Sequence, residues 1–149
     1  MRLQDRMTAG LLLVMVLQAG CAEMLAPVHQ RWPIPSEEGH FLVSGDILQV
    51  TGVARLDMSL LTDTQRRSDG RDRALLDACR RLRDYLDELP KNDRTIGEYA
   101  ALDPVLRKKL DALVYSARPS LTRFTEDSAA ASVEIERSRI NEDLGTDLR

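Results

Sequence analysis

The sequence predicts an α+β fold: a two-layer sandwich in which a small antiparallel or mixed sheet of about three strands carries a long helix and one or two shorter helices on one face. Three observations predict it. Residues 48–56 alternate apolar and polar side chains with the period of a half-buried strand. Residues 71–89 carry an apolar stripe at helical spacing, and residues 120–136 read as a hairpin. The order strand, long helix, shorter helices, strand, strand is packed most simply with the helices together on one sheet face. So small a sheet leaves its other face, or an unpaired edge, for a partner to complete.

The chain opens with Arg2 and Arg6, continues with the apolar run Leu11–Leu17, and then reaches Ala19-Gly20-Cys21. This has the layout of an export signal, and its apolar run is far shorter than the ~20 residues a bilayer-spanning helix needs. Residues 1–20 are therefore expected to be cleaved. Small residues before the cut and a cysteine after it resemble the lipobox of bacterial lipoproteins, although Gln18 stands where leucine is usual and Leu17 is displaced by one. The resemblance implies that Cys21 is acylated and becomes the first mature residue; ordinary secretion or a retained signal anchor are the alternatives. Each buried methylene contributes about 0.8 kcal/mol, so several acyl chains on one cysteine make a durable membrane anchor. In lipoproteins of this type, aspartate after the cysteine retains the protein in the inner membrane. Ala22 follows here, which favours the outer membrane, facing the periplasm.

Removal of the leader leaves 129 of the 149 residues, room for one domain and flexible ends but not for two domains. Without Arg2, Arg6 and Asp5, the 21 basic and 24 acidic residues become 19 and 23, a net charge near −4. That balance disfavours a phosphate-tracking surface, so no nucleic-acid partner is expected. Charged residues make up 30% of the chain and aromatics 4%, which points to a solvated, helix-rich exterior around a modest aliphatic core.

Residues 21–40 form the acylated terminus and a tether. Pro27, Pro33 and Pro35 favour an extended, semi-rigid chain of ~3 Å per residue, able to hold a domain tens of ångströms from a bilayer. Trp32 within it is expected to pack back on the domain, with an interfacial anchor as the alternative. The domain proper is assigned to residues 41–140. From Phe41 to Leu56 the pattern is β-like, with Gly45 and Gly52 read as a bend or bulge. Leu75, Ala78, Cys79, Leu82, Leu86 and Leu89 then line one helix face, in a helix that begins between Thr64 and Arg71 and stops at Pro90. Gly70 inside it costs about 1 kcal/mol relative to alanine. The polar face suggests ion pairs of Arg73 with Asp77, Asp77 with Arg81 and Arg80 with Asp84, each contributing only ~0.2–0.5 kcal/mol. Burial of the stripe must fix this helix.

Thr95-Ile96-Gly97-Glu98 has the form of a capping box and opens a short helix to about Ala101. Asp103-Pro104 repeats the start signal for a helix with Leu106, Leu110, Leu113 and Val114 inside, ending before Pro119. Residues 120–125 and 129–136 make the hairpin arms around Glu126-Asp127-Ser128, and polar residues 141–149 are expected to form a flexible tail.

Taken together, the leader with Cys21, the proline-bearing tether, the strand, the helix Arg73-Ala74-Leu75-Leu76-Asp77-Ala78 with Leu82 following, and the terminal hairpin resemble the FlgP-type flagellar lipoproteins over roughly residues 45–140. Members of that family are outer-membrane lipoproteins, and the flagellar ones build or support a ring around the basal body. The resemblance implies a self-assembling structural part with an envelope or flagellar partner. A monomeric binding or chaperone-like lipoprotein is the alternative.

No enzymatic chemistry is expected. His29 and His40 fall in the tether, where nothing rigid would fix metal ligands. Cys79 on the apolar stripe reads as an inert buried thiol, despite Arg80 and Arg81 beside it. Ser44, Ser59, Ser68 and Ser120 lack an adjacent base, and the acid pairs Glu37-Glu38 and Glu142-Asp143 lie in segments read as mobile. Arg66, Arg67, Arg71, Arg73, Arg80, Arg81 and Arg83 are interleaved with Asp69, Asp72, Asp77, Asp84 and Asp87, which makes a salt-bridged helix face the expectation and a polar subunit interface the next. Catalytic, cofactor and metal residues are thus expected to be none, with Cys21 as the modified position.

Overall fold

The computed structural model describes residues 40–147. Where a single bent strand was expected, the chain makes a hairpin. Strand β1 (Phe41–Ser44) turns at Gly45-Asp46 into β2 (Ile47–Arg55), with Ser44 opposite Ile47 and Phe41 opposite Val50. Gly45 has φ +57°, the left-handed conformation that glycine adopts without a side-chain penalty, so its role is to close the turn.

A long helix, α1 (Asp63–Glu88), follows. Its start is fixed by a capping box well ahead of the apolar stripe: the Thr62 hydroxyl accepts from Gln65 N–H at 3.2 Å, and Gln65 Oε1 accepts from Thr62 N–H at 3.2 Å. Pro90 ends it as expected and begins a two-residue strand, β3 (Pro90–Lys91), paired with β4 (Arg94–Thr95) around Asn92, which takes φ +55°. Helix α2 (Ile96–Leu102) opens on the Thr95–Glu98 capping box, and α3 (Pro104–Ser116) on Asp103, whose carboxylate accepts from Val105 N–H. Strands β5 (Arg118–Phe124) and β6 (Ser128–Glu136) make the second hairpin of the main sheet.

Four of the six described strands form one antiparallel sheet in the order β1-β2-β6-β5, and β3 with β4 stands apart. The fold is α+β as the sequence predicts. The fourth strand exists because Gly45 divides the β-like run in two. Leu48, Val50, Val133 and Ile135 point from the two central strands into a core shared with Leu82 and Leu86 of α1, Ile96 and Ala100 of α2, and Leu106, Leu110 and Leu113 of α3. A second, smaller cluster pairs Ala74 of α1 with Ala129 and Ala131 of β6.

Gly52 is neither a bend nor a bulge, because it pairs in register with Ala131. It faces α1, and a Cβ there would lie 2.2 Å from Ala78 N and 2.3 Å from the Ala74 carbonyl oxygen. The helix backbone thus rests directly on the strand backbone at this point. Small residues on both sides (Gly52, Ala74, Ala78, Ala129, Ala131) allow that approach.

The expected tail is a helix, α4 (Arg137–Leu144), with Ile140 and Leu144 fully buried in the main core. Its free N-terminal donors are satisfied from the β1–β2 turn, where Asp46 accepts from Ser138 N–H at 3.0 Å and from the Ser138 hydroxyl at 2.5 Å. At the other end Gly145 (φ +64°) closes the helix, and Lys91 Nζ donates to the Leu144 carbonyl at 2.5 Å. The domain boundary belongs beyond residue 144, not at 140.

Candidate functional site

The helix layer covers the sheet unevenly. All seven residues of β5 are exposed, although the strand is laddered to β6 on both sides of Ser120. Side chains opposite one another in the ladder share a face, so Pro119, Thr122 and Phe124 lie on the helix side with Val133, Ala131 and Ala129, and Arg118, Leu121 and Arg123 on the other. On the helix side, Phe124 meets the guanidinium of Arg67, 5.7 Å from its ring centroid, and stays 38% exposed. A register shift between Pro119 and Leu121 marks a bulge at Ser120. Bulge, proline and arginine are devices that blunt a sheet edge, and they occupy the first half of β5. Residues Leu121–Phe124 beyond the bulge carry one arginine and continue in regular extended pairing.

The sheet face away from the helices is a short polar ladder. Gln49 Nε2 donates to Glu134 Oε1 at 3.1 Å and to Ser120 Oγ at 3.2 Å, and the hydroxyls of Thr51 and Ser132 share a hydrogen bond of 2.8 Å. Leu42 on β1 and Leu121 on β5 flank this ladder at 58% and 44% exposure. Val53 is also exposed, at the end of β2. The face is therefore polar along its middle and apolar at its two edges.

Asp77 joins helix to sheet. Its Oδ2 accepts from Val53 N–H at 3.1 Å and from Arg81 Nε at 2.8 Å, while Oδ1 accepts from Arg80 at 2.8 Å. Thr51 N–H bonds His40 O on the β1 side, and Val53 N–H points to the same side two residues farther on. Asp77 supplies the acceptor for that N–H. Burial pushes this carboxyl up, but the Arg81 and Val53 hydrogen bonds and the charges of Arg81 and Arg80 outweigh it and hold it below the usual carboxylate range.

The remaining residues singled out by the sequence are dispersed. Cys21, His29, Glu37 and Glu38 lie outside the described residues. His40 is not in a tether but at the start of the sheet, with Nδ1 3.0 Å from Thr51 O. Cys79 is half-buried against the core, and burial pushes its thiol above the ordinary range, as for an inert thiol. Ser59 bonds Asp57, Ser120 bonds Gln49, and Asp143 lies 3.7 Å from Arg139 on α4. Of the three helix ion pairs read from spacing, only Asp77–Arg81 forms. Arg73 turns back to Asp69 at 2.6 Å because Asp77 faces the strand, and Arg80 takes Asp77 in place of Asp84. Arg67 pairs with Asp63 and Arg71 with Asp72, while Arg83 bridges Asp87 on its own helix and Asp111 on α3. The arginine set is a salt-bridged face; its exposed pairs contribute little individually. Among the described residues no group of three potential metal ligands comes together, and no helix is long and apolar enough to cross a membrane.

Comparison with protein-family models, with curated proteins and with solved structures gives no match.

The open edge of β5 is the feature that spacing alone did not reveal. Alternation shows that a strand is present, but not whether the helix layer reaches it. A weak signal exists in Leu121-Thr122-Arg123-Phe124, which has no run of apolar residues to bury on either face.

Proposed function

We propose that the protein is a non-enzymatic, outer-membrane lipoprotein held by acylated Cys21, whose α+β domain serves as a structural part of a periplasmic assembly. The observation that carries this reading is the pairing of a lipobox-like leader with a domain whose extended strand β5 is exposed and, from Leu121 to Phe124, open at its edge. An anchored module with an open strand is suited to joining other envelope components by main-chain pairing. The resemblance to FlgP-type lipoproteins makes a flagellar basal-body ring the first assembly to examine.

Two experiments test it together. Envelope fractionation should recover the protein with outer-membrane markers, and a Cys21→Ser variant should leave that fraction. Chemical crosslinking in intact cells should capture copies of the protein with one another, and a deletion strain should swim poorly if the assembly is flagellar. Monomer alone on crosslinking, with unaltered motility, would contradict the structural role.

A second reading, a monomeric lipoprotein that holds an envelope client, is favoured by one observation. Leu102 and Val105 are exposed at the α2–α3 junction, and Val105 lines an open groove with Lys91, Tyr99 and Lys109 that runs to the end of α4. Crosslinks to a different protein, with none between copies, would select it.

A further inference from the structure

We propose that copies of this chain join edge to edge, residues 121–124 of β5 in one copy pairing with β1 of the next, so that a single antiparallel sheet runs through neighbouring domains. The inference rests on the self-assembly reading above and specifies its junction.

Strand polarity comes first. The order β1-β2-β6-β5 is antiparallel throughout, so the two edge strands run in opposite directions. Two copies placed side by side in the same orientation therefore bring β5 against β1 as an antiparallel pair, the same relation as every pairing inside the domain. Identical repeated contacts of this kind build rings or lines of like-oriented subunits, which suits molecules anchored by the same end to one membrane.

Main-chain geometry fixes the register. Thr51 N–H bonds His40 O, and Thr125 N–H bonds Ser128 O. Because hydrogen-bonded and non-hydrogen-bonded pairs alternate along an antiparallel ladder, the main-chain groups of Phe41 and Val43 on β1, and of Thr122 and Phe124 on β5, point to the two edges that no strand covers among the described residues. Two residues face two residues, over four-residue segments of equal length. Thr122 then lies opposite Val43 of the neighbour, and Phe124 opposite its Phe41. All four of these side chains are on the helix side of the sheet, where Phe124 finds an aromatic partner. On the other side Arg123 meets Leu42 of the neighbour and Leu121 meets Ser44.

Charge agrees with this orientation. Arg118, at the blunted end of β5, comes level with the Gly45-Asp46 turn of the adjacent copy and its carboxylate. The alternative two-fold pairing of β5 with another β5 would gather Arg118 and Arg123 from both copies along one seam.

A junction of four residues a side buries too little surface to hold two free domains together in solution. Confinement on a membrane changes that, because a common anchor raises the effective concentration of neighbouring edges. The pairing is accordingly a property of the anchored protein.

The test uses the full-length lipoprotein in cells, in a Cys79→Ser background, carrying Leu42→Cys and Arg123→Cys together. These two positions face one another across a non-hydrogen-bonded pair, the geometry in which a cross-strand disulfide closes. The expected result is a ladder of disulfide-linked multimers on non-reducing gels, absent from both single-cysteine variants. Adding Thr122→Pro should reduce the ladder at least tenfold: it removes an edge-facing N–H that β6 does not use, so the domain keeps its fold. Dimers from Arg123→Cys alone would overturn the proposal in favour of β5–β5 pairing. If the double variant stays monomeric while an amine-reactive crosslinker still captures oligomers, this junction is wrong and self-assembly stands. If neither reagent captures oligomers, both fail.

Discussion

Replacing Gly52 with alanine probes the closest contact in the fold. The added Cβ would stand 2.2 Å from Ala78 N, 2.3 Å from Ala74 O and 2.8 Å from the Asp77 carbonyl carbon, all main-chain atoms of α1. Ordinary carbon contacts are about 3.5–4.0 Å, so helix and strand must separate by about 1 Å or more locally. No rotamer change can relieve the clash. Overpacking costs typically about 1–3 kcal/mol where side chains can adjust. Here α1 is also lifted from Leu48 and Val50, so a loss of at least about 3 kcal/mol is expected. For a domain of this size that lowers the thermal midpoint by about 10–20 °C. Gly70→Ala is the control. Its Cβ would meet Leu56 Cδ2 at 2.4 Å, the movable tip of a side chain, and alanine regains about 1 kcal/mol of helix propensity. Thermal and urea unfolding of both variants, followed by circular dichroism in detergent, should show Gly52→Ala as much the more damaging. A Gly52→Ala midpoint within about 3 °C of the parent would refute the claim that the helix rests on the strand backbone at this position.

Other consequences follow from the same packing. Asp77→Asn should destabilise the domain by about 2 kcal/mol at neutral pH, since two arginines and Val53 N–H lose a charged acceptor. The Asp77 carboxyl is held below its unfolded value, so its contribution is present above about pH 4 and is lost as pH falls through the folded pKa. The gap between parent and variant in urea titrations should therefore close in acid and not in base. Leu144→Ala should cost about 2–4 kcal/mol in the same assay, because Leu144 is fully buried, whereas loss of a mobile tail residue would cost nothing measurable. The Cys79 thiol should react slowly with a thiol reagent at neutral pH and rapidly in denaturant; equal rates would contradict its burial.

Features whose causes are local were the most legible in the sequence. The Leu75–Leu89 stripe, the Thr95–Glu98 capping box and Asp103-Pro104 each hold their determinants within a few residues, and each element stands where it was expected. Features that depend on distant partners were not. Helix α4 is polar in composition and is stabilised by Asp46 and Lys91, 92 and 53 residues away in sequence. A signal was nonetheless present: Leu144-Gly145 is a common helix ending, and Ile140 and Leu144 are four apart. Thr62 with Gln65 similarly announces the start of α1, but the apolar stripe draws the eye to a later turn. Gly52 illustrates an ambiguity of residue type, because glycine inside a strand marks either a bulge or a close approach, and only the facing helix decides between them. At the candidate site, the hairpin was legible and the openness of its outer strand was not, since exposure of β5 depends on where α1 crosses the sheet.

Intact-mass analysis of the protein extracted from membranes tests the central claim most directly. A chain beginning at Cys21 and carrying the added mass of several fatty acyl groups is the predicted result. A chain cut elsewhere, or one beginning at Cys21 with no added mass, would contradict the account of this domain as a lipid-anchored part of an envelope assembly.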